Sequence, residues 1–268
     1  MELTALPVQA WLAEDVGDGD VTSRAMIDED VVCEARIVLK QHGVICGLDA
    51  AAAVFDALGA RLELRARDGD VLEPGPVAQV EGSARAVLAA ERTALNLLGR
   101  LSGIATLTRR YVEAVEGTGA TILDTRKTTP GLRELEKYAV ACGGGTNHRR
   151  GLDDAILIKD NHLRLAGPIR LAVERAKASG LPVEVECETL DQAREAVAAG
   201  ADQILLDNMT QAELREAVGL VGDDAELEAS GGVTLDTVRE IAETGVDFVS
   251  VGAITHSAPS LDVSLEIL

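Results

Sequence analysis

Five cationic residues fall just after short β-branched runs or beside them: Arg126, Lys127, His148, Arg149 and Lys159. Two of the chain's five lysines are in this set, in a protein whose formal net charge is −20. Arginine grips carboxylates and phosphates in a bidentate fork, and lysine supplies a point charge. If these side chains converge, they make a pocket for a polyanionic substrate. Singly, each reads as a solvated surface charge. Their repeated placement after strands weakens that plainer account for the set. Two carboxylates, Glu186 and Asp207, end two successive runs. They suit ribose hydroxyls or a Mg²⁺ that travels with a diphosphate, and equally an internal salt bridge to Lys159 or Arg126. Small-residue turns follow the last two runs, at Ser230-Gly231-Gly232 and Val251-Gly252-Ala253, with His256 just beyond. Backbone N–H groups in such turns can approach a phosphate closely, although glycine also ends strands for steric reasons alone. Gly143-Gly144-Gly145 reads as a tight turn before His148, with a mobile lid as the alternative.

These residues require elements that deliver them to one place. From residue 120 onward, short runs at 121–123, 156–158, 183–185, 204–206, 226–228 and 248–251 alternate with helical stretches at 132–142, 169–179, 190–199, 211–218 and 235–244. Such alternation predicts βαβ units and a parallel sheet. An open sheet concentrates its chemistry at one switch point, whereas a barrel draws on the carboxyl ends of many strands. Polar residues follow six successive runs here, including Asp124-Thr125-Arg126-Lys127 and Lys159-Asp160-Asn161, so the barrel is favoured. The first hundred residues read as mixed α+β, with a short helix at 7–15, strands at 32–39, 44–46, 62–67 and 77–80, and a helix at 48–58. A long helical stretch from Ser83 to about Gly117 is expected to break or bend at Gly99 and Ser102-Gly103.

Composition narrows the classes. The 268 residues suffice for a barrel plus a smaller domain. Aromatics are only 2%, so Ala, Val, Leu and Ile must build the core. The acidic balance repels nucleic acid and anionic membranes. No apolar run approaches the roughly 20 residues of a membrane helix, and residues 1–10 show no basic-then-apolar leader, so a cytoplasmic location is expected. Cys33, Cys46, Cys142 and Cys187 lack metal-type spacing and read as reduced thiols. The lysine-poor, acid-rich surface fits either a high-salt cytoplasm or a GC-rich genome.

At these motifs the sequence resembles the quinolinate phosphoribosyltransferase (carboxylating nicotinate-nucleotide pyrophosphorylase) family. The resemblance covers nearly the whole chain. It includes Glu14-Asp15-Val16-Gly17-Asp18-Gly19-Asp20-Val21-Thr22, Glu91-Arg92-Thr93-Ala94-Leu95-Asn96, and the run from Asp124-Thr125-Arg126-Lys127-Thr128-Thr129-Pro130-Gly131 through Glu136-Lys137-Tyr138-Ala139-Val140 to Asn147-His148-Arg149. It continues in Ile156-Leu157-Ile158-Lys159-Asp160-Asn161-His162. It departs from the family pattern at Ala141 and Arg150.

The resemblance implies an N-terminal α/β sandwich domain, residues 1–103, joined by a returning segment at 260–268, and an open, incomplete (β/α) barrel over 104–259. It implies a homodimer, with a hexamer also open, in which Arg92 serves the neighbour's site. The implied reaction joins quinolinate to 5-phosphoribosyl 1-diphosphate with Mg²⁺ and yields nicotinate mononucleotide, diphosphate and CO₂. Arg92, Arg126, His148 and Arg149 would hold the diacid, with Thr125 beside them. Lys127 and Lys159 would contact the diphosphate, and Glu186 and Asp207 the ribose and Mg²⁺, these four being the catalytic set. Ser230, Gly231, Gly232, Val251, Gly252, Ala253 and His256 would form the 5-phosphate site. Three rival readings are a paralogue linked to molybdenum transport, a Schiff-base aldolase using Lys159, and a non-catalytic barrel.

Overall fold

The computed structural model describes residues 6–268. The first half of the stretch searched for a leader, residues 1–5, lies outside the described residues. In chain order the elements are α1 (Val8–Val16), α2 (Val21–Met26), β1 (Val32–Leu39), β2 (Gly43–Val44), α3 (Leu48–Ala57), β3 (Arg61–Leu64), β4 (Val71–Leu72), β5 (Gly75–Ser83) and α4 (Ala84–Ala114). Then come β6 (Thr121–Leu123), α5 (Arg133–Cys142), β7 (Ile156–Ile158), α6 (Asp160–Ala166), α7 (Ile169–Lys177), β8 (Val183–Cys187), α8 (Leu190–Ala198), β9 (Gln203–Asp207) and α9 (Gln211–Val221). Last are β10 (Glu226–Ser230), α10 (Val238–Ala242), β11 (Phe248–Ser250), α11 (Ala253–His256) and β12 (Val263–Ile267).

Two compact units result. One comprises the described residues up to Arg109, with Pro130–Gly144 and Ser257–Leu268; the other comprises Arg110–Thr129 and Gly145–His256. Within the first unit α5 is held through polar contacts. Glu136, fully buried, accepts from Arg100 Nη2 at 2.8 Å and from Nε at 3.2 Å, and Tyr138 Oη donates to Asp68 Oδ2 at 3.0 Å.

In the first unit the sheet order is β12-β1-β5-β3. The C-terminal β12 pairs antiparallel with β1, Ala35 opposite Ile267 and Leu39 opposite Val263. Ala35, Ile37 and Leu39 point inward with no exposure, while Glu34 and Arg36 face out, the period-two pattern of a half-buried strand. Of the break or bend expected in the long helix, the break is absent. Helix α4 runs unbroken for 31 residues, because its glycines serve close packing. A Cβ on Gly103 would lie 2.0 Å from Pro259 O, and one on Gly99 2.8 Å from Leu261 O. The returning segment can therefore lie directly on the helix backbone.

In the second unit six parallel strands follow the order β6-β11-β10-β9-β8-β7, an open barrel that ends at β6 and β7. Val183, Val185 and Cys187 of β8 are fully buried on the helix side, as are Ile204 and Leu206 of β9. The alternate residues point into the barrel. This is why the strands carry carboxylates at every second position, Glu184 and Glu186 on β8 and Glu226 and Glu228 on β10, where parallel strands usually read as apolar runs. Helices α8 and α9 are started by capping boxes, Thr189 with Gln192 and Thr210 with Glu213.

Candidate active site

The carboxyl ends of the strands surround a cavity of about 470 Å³. Its lining lies entirely in the second unit. It includes Thr125, Arg126 and Lys127 after β6, Lys159 after β7, and Glu186 and Asp207 at the ends of β8 and β9. Ser230 ends β10, and His148 and Arg149 come from the loop before β7. Nine residues chosen from sequence thus share one hollow. Arg92 is exposed on α4 in the first unit, with a Glu91 carboxylate oxygen at 3.9 Å. Gly231, Gly232, Val251, Gly252, Ala253 and His256 are outside the lining of this cavity.

Several contacts organise the mouth. Lys159 Nζ is ion-paired with Glu186 Oε2. Asp207 Oδ2 accepts from Asn208 Nδ2 at 2.7 Å. Asn208 adopts a left-handed φ of 56°, and its N–H donates to Ser230 O at 2.9 Å. Gly231, at φ +97°, cannot carry a side chain, since a Cβ would fall 2.2 Å from Asn208 Oδ1. The turn after β11 sits against the lysine: Thr255 Oγ1 donates to Lys127 O at 2.9 Å, and a Cβ on Gly252 would meet Lys127 Cδ and His256 Nε2 at 3.2 Å each. The two expected phosphate turns therefore touch the mouth through Asn208 and Lys127.

Arg149 is the most constrained cation. Nη1 donates to Ala155 O at 3.1 Å, while the buried Nε has no hydrogen-bond partner among the described residues. Burial and the neighbouring Arg126 both push its pKa down from the usual value. Two guanidiniums this close repel each other, and an anion between them relieves that repulsion.

Beneath the mouth lies a cluster that sequence reasoning missed. His148 Nε2 is 3.1 Å from Glu184 Oε2 and 3.4 Å from Glu228 Oε2. Glu228, fully buried, also accepts from Gln203 Nε2 at 2.8 Å. Burial raises the Glu184 pKa. Burial opposes charge on His148 as well, but hydrogen bonds to the two glutamates outweigh it and raise its pKa to about 10. Arg149 N–H donates to His148 Nδ1 at 2.7 Å, so Nδ1 presents a lone pair and Nε2 carries the ring hydrogen. His148, Glu184 and Glu228 offer three ligand-type atoms within 4.8 Å of one another. An Nε2–H aimed at carboxylates makes them a hydrogen-bonded group and leaves no nitrogen lone pair for a cation. The available signal was the spacing Glu184/Glu186 and Glu226/Glu228/Ser230, polar residues at period two on strands that close into a barrel.

A parallel-strand barrel whose strand ends gather four cationic side chains, two carboxylates and glycine turns defines an enzyme site for a phosphorylated, polyanionic substrate. Family models agree in detail: the quinolinate phosphoribosyl transferase N-terminal domain matches residues 20–102 and its C-terminal domain residues 104–266. The chain belongs to this family. It is 46% identical over 263 residues to a probable carboxylating nicotinate-nucleotide pyrophosphorylase of Bacillus subtilis, covering 96% of this chain and 91% of the relative. It is 44% identical over 271 residues to the Mycobacterium leprae enzyme, covering 97% and 95%. The solved nicotinate-nucleotide pyrophosphorylase of Francisella tularensis superposes with a TM-score of 0.94 at 41% identity, covering 97% of this chain and 94% of that one.

Proposed function

We propose that this chain transfers the phosphoribosyl group of 5-phosphoribosyl 1-diphosphate to quinolinate with loss of CO₂, as a carboxylating nicotinate-nucleotide diphosphorylase of NAD biosynthesis. The observation that carries this reading is the convergence of Arg126, Lys127, Arg149 and Lys159 on one cavity in a chain of net charge −20. Arg126 and Arg149 hold the diacid. Lys127 and Lys159 face the diphosphate, and the Ser230–Gly232 and Val251–Ala253 turns, with His256, take the 5-phosphate. Glu186 and Asp207 take the ribose hydroxyls.

The pyridine nitrogen attacks the anomeric carbon, a C–N bond forms, and the C–O bond to diphosphate breaks. The lysines stabilise the charge that gathers on the departing diphosphate. Alignment of the two bound substrates removes much of the barrier. The C–CO₂ bond then breaks into the positively charged ring, and the ring carbon takes a proton from solvent. No general base is needed, which suits a mouth made of clamps. Glu186 and Asp207, half-buried on adjacent strands and open to the cavity, are hard oxygen donors that would hold a Mg²⁺ there. When bound there it would supply charge neutralisation of the leaving group. Within the sequence family pattern, Arg92 reaches a partner's mouth, so the working unit is a homodimer, with a hexamer as a further assembly. Among the described residues no helix is long and apolar enough to cross a membrane. All four cysteines are free thiols, as a reducing compartment requires, and we place the reaction in the cytoplasm.

A single conservative change tests the diacid clamp. Arg149→Lys keeps a charge but loses the fork, so KM for quinolinate should rise about 10- to 100-fold. KM for 5-phosphoribosyl 1-diphosphate should stay nearly constant. Steady-state kinetics in both substrates measure this, and an equal rise in both KM values would count against the assignment.

A further inference from the structure

We propose that Cys46 and Cys142 form a peroxide-reactive pair: a hydroperoxide oxidises Cys142, Cys46 resolves it to an intramolecular disulfide, and a dithiol returns both thiols. The inference is independent of the quinolinate reading, since neither cysteine lines the cavity at the strand ends.

Both residues lie in the first unit, and both are docked on α4. The Cys46 N–H donates to Ser102 Oγ at 2.9 Å, and the Ser102 hydroxyl donates to Cys46 O at 3.1 Å. Gly143, the residue after Cys142, lies so close to α4 that a Cβ on it would fall 2.4 Å from Ala105 O. Arg109 Nε donates to the Gly143 carbonyl at 3.0 Å. Positions three apart on a helix, as Ser102 and Ala105 are, stand about 5–6 Å apart, which is the Cα separation that a disulfide spans. Gly69 closes the triangle. Its N–H donates to Ile45 O at 2.9 Å, and a Cβ on it would lie 3.6 Å from Cys142 O. The two side chains meet in a thiol–thiol hydrogen bond. Cys46 is fully buried, while Cys142 is half-buried beside the exposed Ala141 and Gly144, so an incoming oxidant reaches Cys142 first.

The two sulfurs take different roles. Tyr138 Oη gives its one hydrogen to Asp68 Oδ2 at 3.0 Å, and Asp68 Oδ1 accepts from the N–H groups of Gly47 and Leu48, each at 3.0 Å. Cys46 is therefore the donor to Cys142. That hydrogen bond lowers the Cys142 thiol from its ordinary value against the opposing pull of burial, and the same bond and burial raise Cys46. Burial also raises Cys33 and pushes Cys187 up to about 12. The nucleophilic form of a cysteine is the thiolate, so Cys142 is the one selected. Its sulfur attacks one peroxide oxygen, the O–O bond breaks, and the departing hydroxide takes a proton to leave as water. The Cys46 sulfur then attacks the sulfenic acid on Cys142. The S–S bond forms, the S–O bond breaks, and the hydroxyl leaves with the Cys46 proton as a second water. Two thiols lose two electrons in all, and one peroxide becomes two waters. The disulfide stops Cys142 short of sulfinic acid, which thiols do not reverse.

Limited hydrogen peroxide on the intact purified protein tests this. The peroxide is removed, the protein is unfolded, the remaining thiols are alkylated, and the tryptic peptides are weighed. The Cys46 and Cys142 peptides should appear joined with the loss of two hydrogens, in protein that still runs as a single chain without reductant. Cys33 and Cys187 should stay alkylated, and Cys142 should be consumed at least about tenfold faster than either. Dithiothreitol should return both thiols. In Cys46→Ala the same treatment should carry Cys142 on to sulfinic acid, which dithiothreitol leaves in place. Sulfinic acid on wild-type Cys142 with Cys46 still alkylated, a disulfide joining any other pair, or equal loss of all four thiols would overturn the proposal. So would four intact thiols after a dose that oxidises free glutathione. Should Cys46→Ala fail to fold, the wild-type peptide map decides alone. A wild type that forms the disulfide yet makes no nicotinate mononucleotide would fail the quinolinate reading and leave this inference standing.

Discussion

In the Lys159→Ala variant, kcat is expected to fall about 100- to 1000-fold, the usual loss when one electrostatic contact to a developing anion is removed. Lys159 Nζ lines the mouth and has Glu186 as its ion-pair partner in the substrate-free chain. In the proposed reaction an entering diphosphate would compete for that ammonium and free Glu186 for the ribose or Mg²⁺. The loss should therefore appear in kcat more than in KM for quinolinate. The fold should hardly notice. The lysine side chain is 42% exposed, and partly exposed ion pairs of this kind contribute about 1 kcal/mol or less. Thermal unfolding beside single-turnover rates checks both halves. A variant that unfolds early would make Lys159 a structural residue, and one that turns over normally would remove it from the reaction.

The second large effect concerns Arg92. It stands 63% exposed on α4, too far from carboxylates for a strong pair, with Glu91 at 3.9 Å. As a surface residue it should be dispensable. As the proposed contribution to a partner's mouth, Arg92→Ala should lower kcat/KM for quinolinate at least about 100-fold, since a charge-assisted fork is lost from a desolvated contact. Mixing then separates the cases. In an isologous dimer, random pairing of Arg92→Ala with Lys159→Ala subunits puts both lesions in one site and leaves the other intact. About a quarter of wild-type activity should return, half the dimers being mixed with one good site of two. If no activity returns after subunit exchange has been verified, Arg92 acts within its own chain or not at all.

Much of this was legible in the sequence because charges and periodicity report different things. Alternation of short β-branched runs with helical stretches marked all six barrel strands, and the cations after them marked the mouth. What stayed hidden depends on three-dimensional closure. Gly99 and Gly103 look like helix breakers, yet α4 is continuous, because those positions receive the backbone of residues 259–261. Helix α5 follows the first barrel strand in sequence but belongs with the first unit, through the buried Glu136–Arg100 pair. The helix at Asp160–Ala166 was missed because its motif reads as a string of polar ligands. Glu184 and Glu228 were passed over since a carboxylate in a strand normally faces water. Only the barrel's inward register turns period-two acids into a buried floor. The return of the C-terminal segment came from family resemblance alone and its strand β12 was not foreseen, as five residues far from their partner carry no local signal.

The measurement closest to the central claim is product formation by the purified protein supplied with 5-phosphoribosyl 1-diphosphate, Mg²⁺ and quinolinate, with nicotinate as the control base. The account predicts nicotinate mononucleotide and CO₂ in equal amounts from quinolinate, and little product from nicotinate, which lacks one of the two carboxylates the arginines grip. Comparable turnover of nicotinate, or quinolinate left intact without CO₂ release, would contradict it.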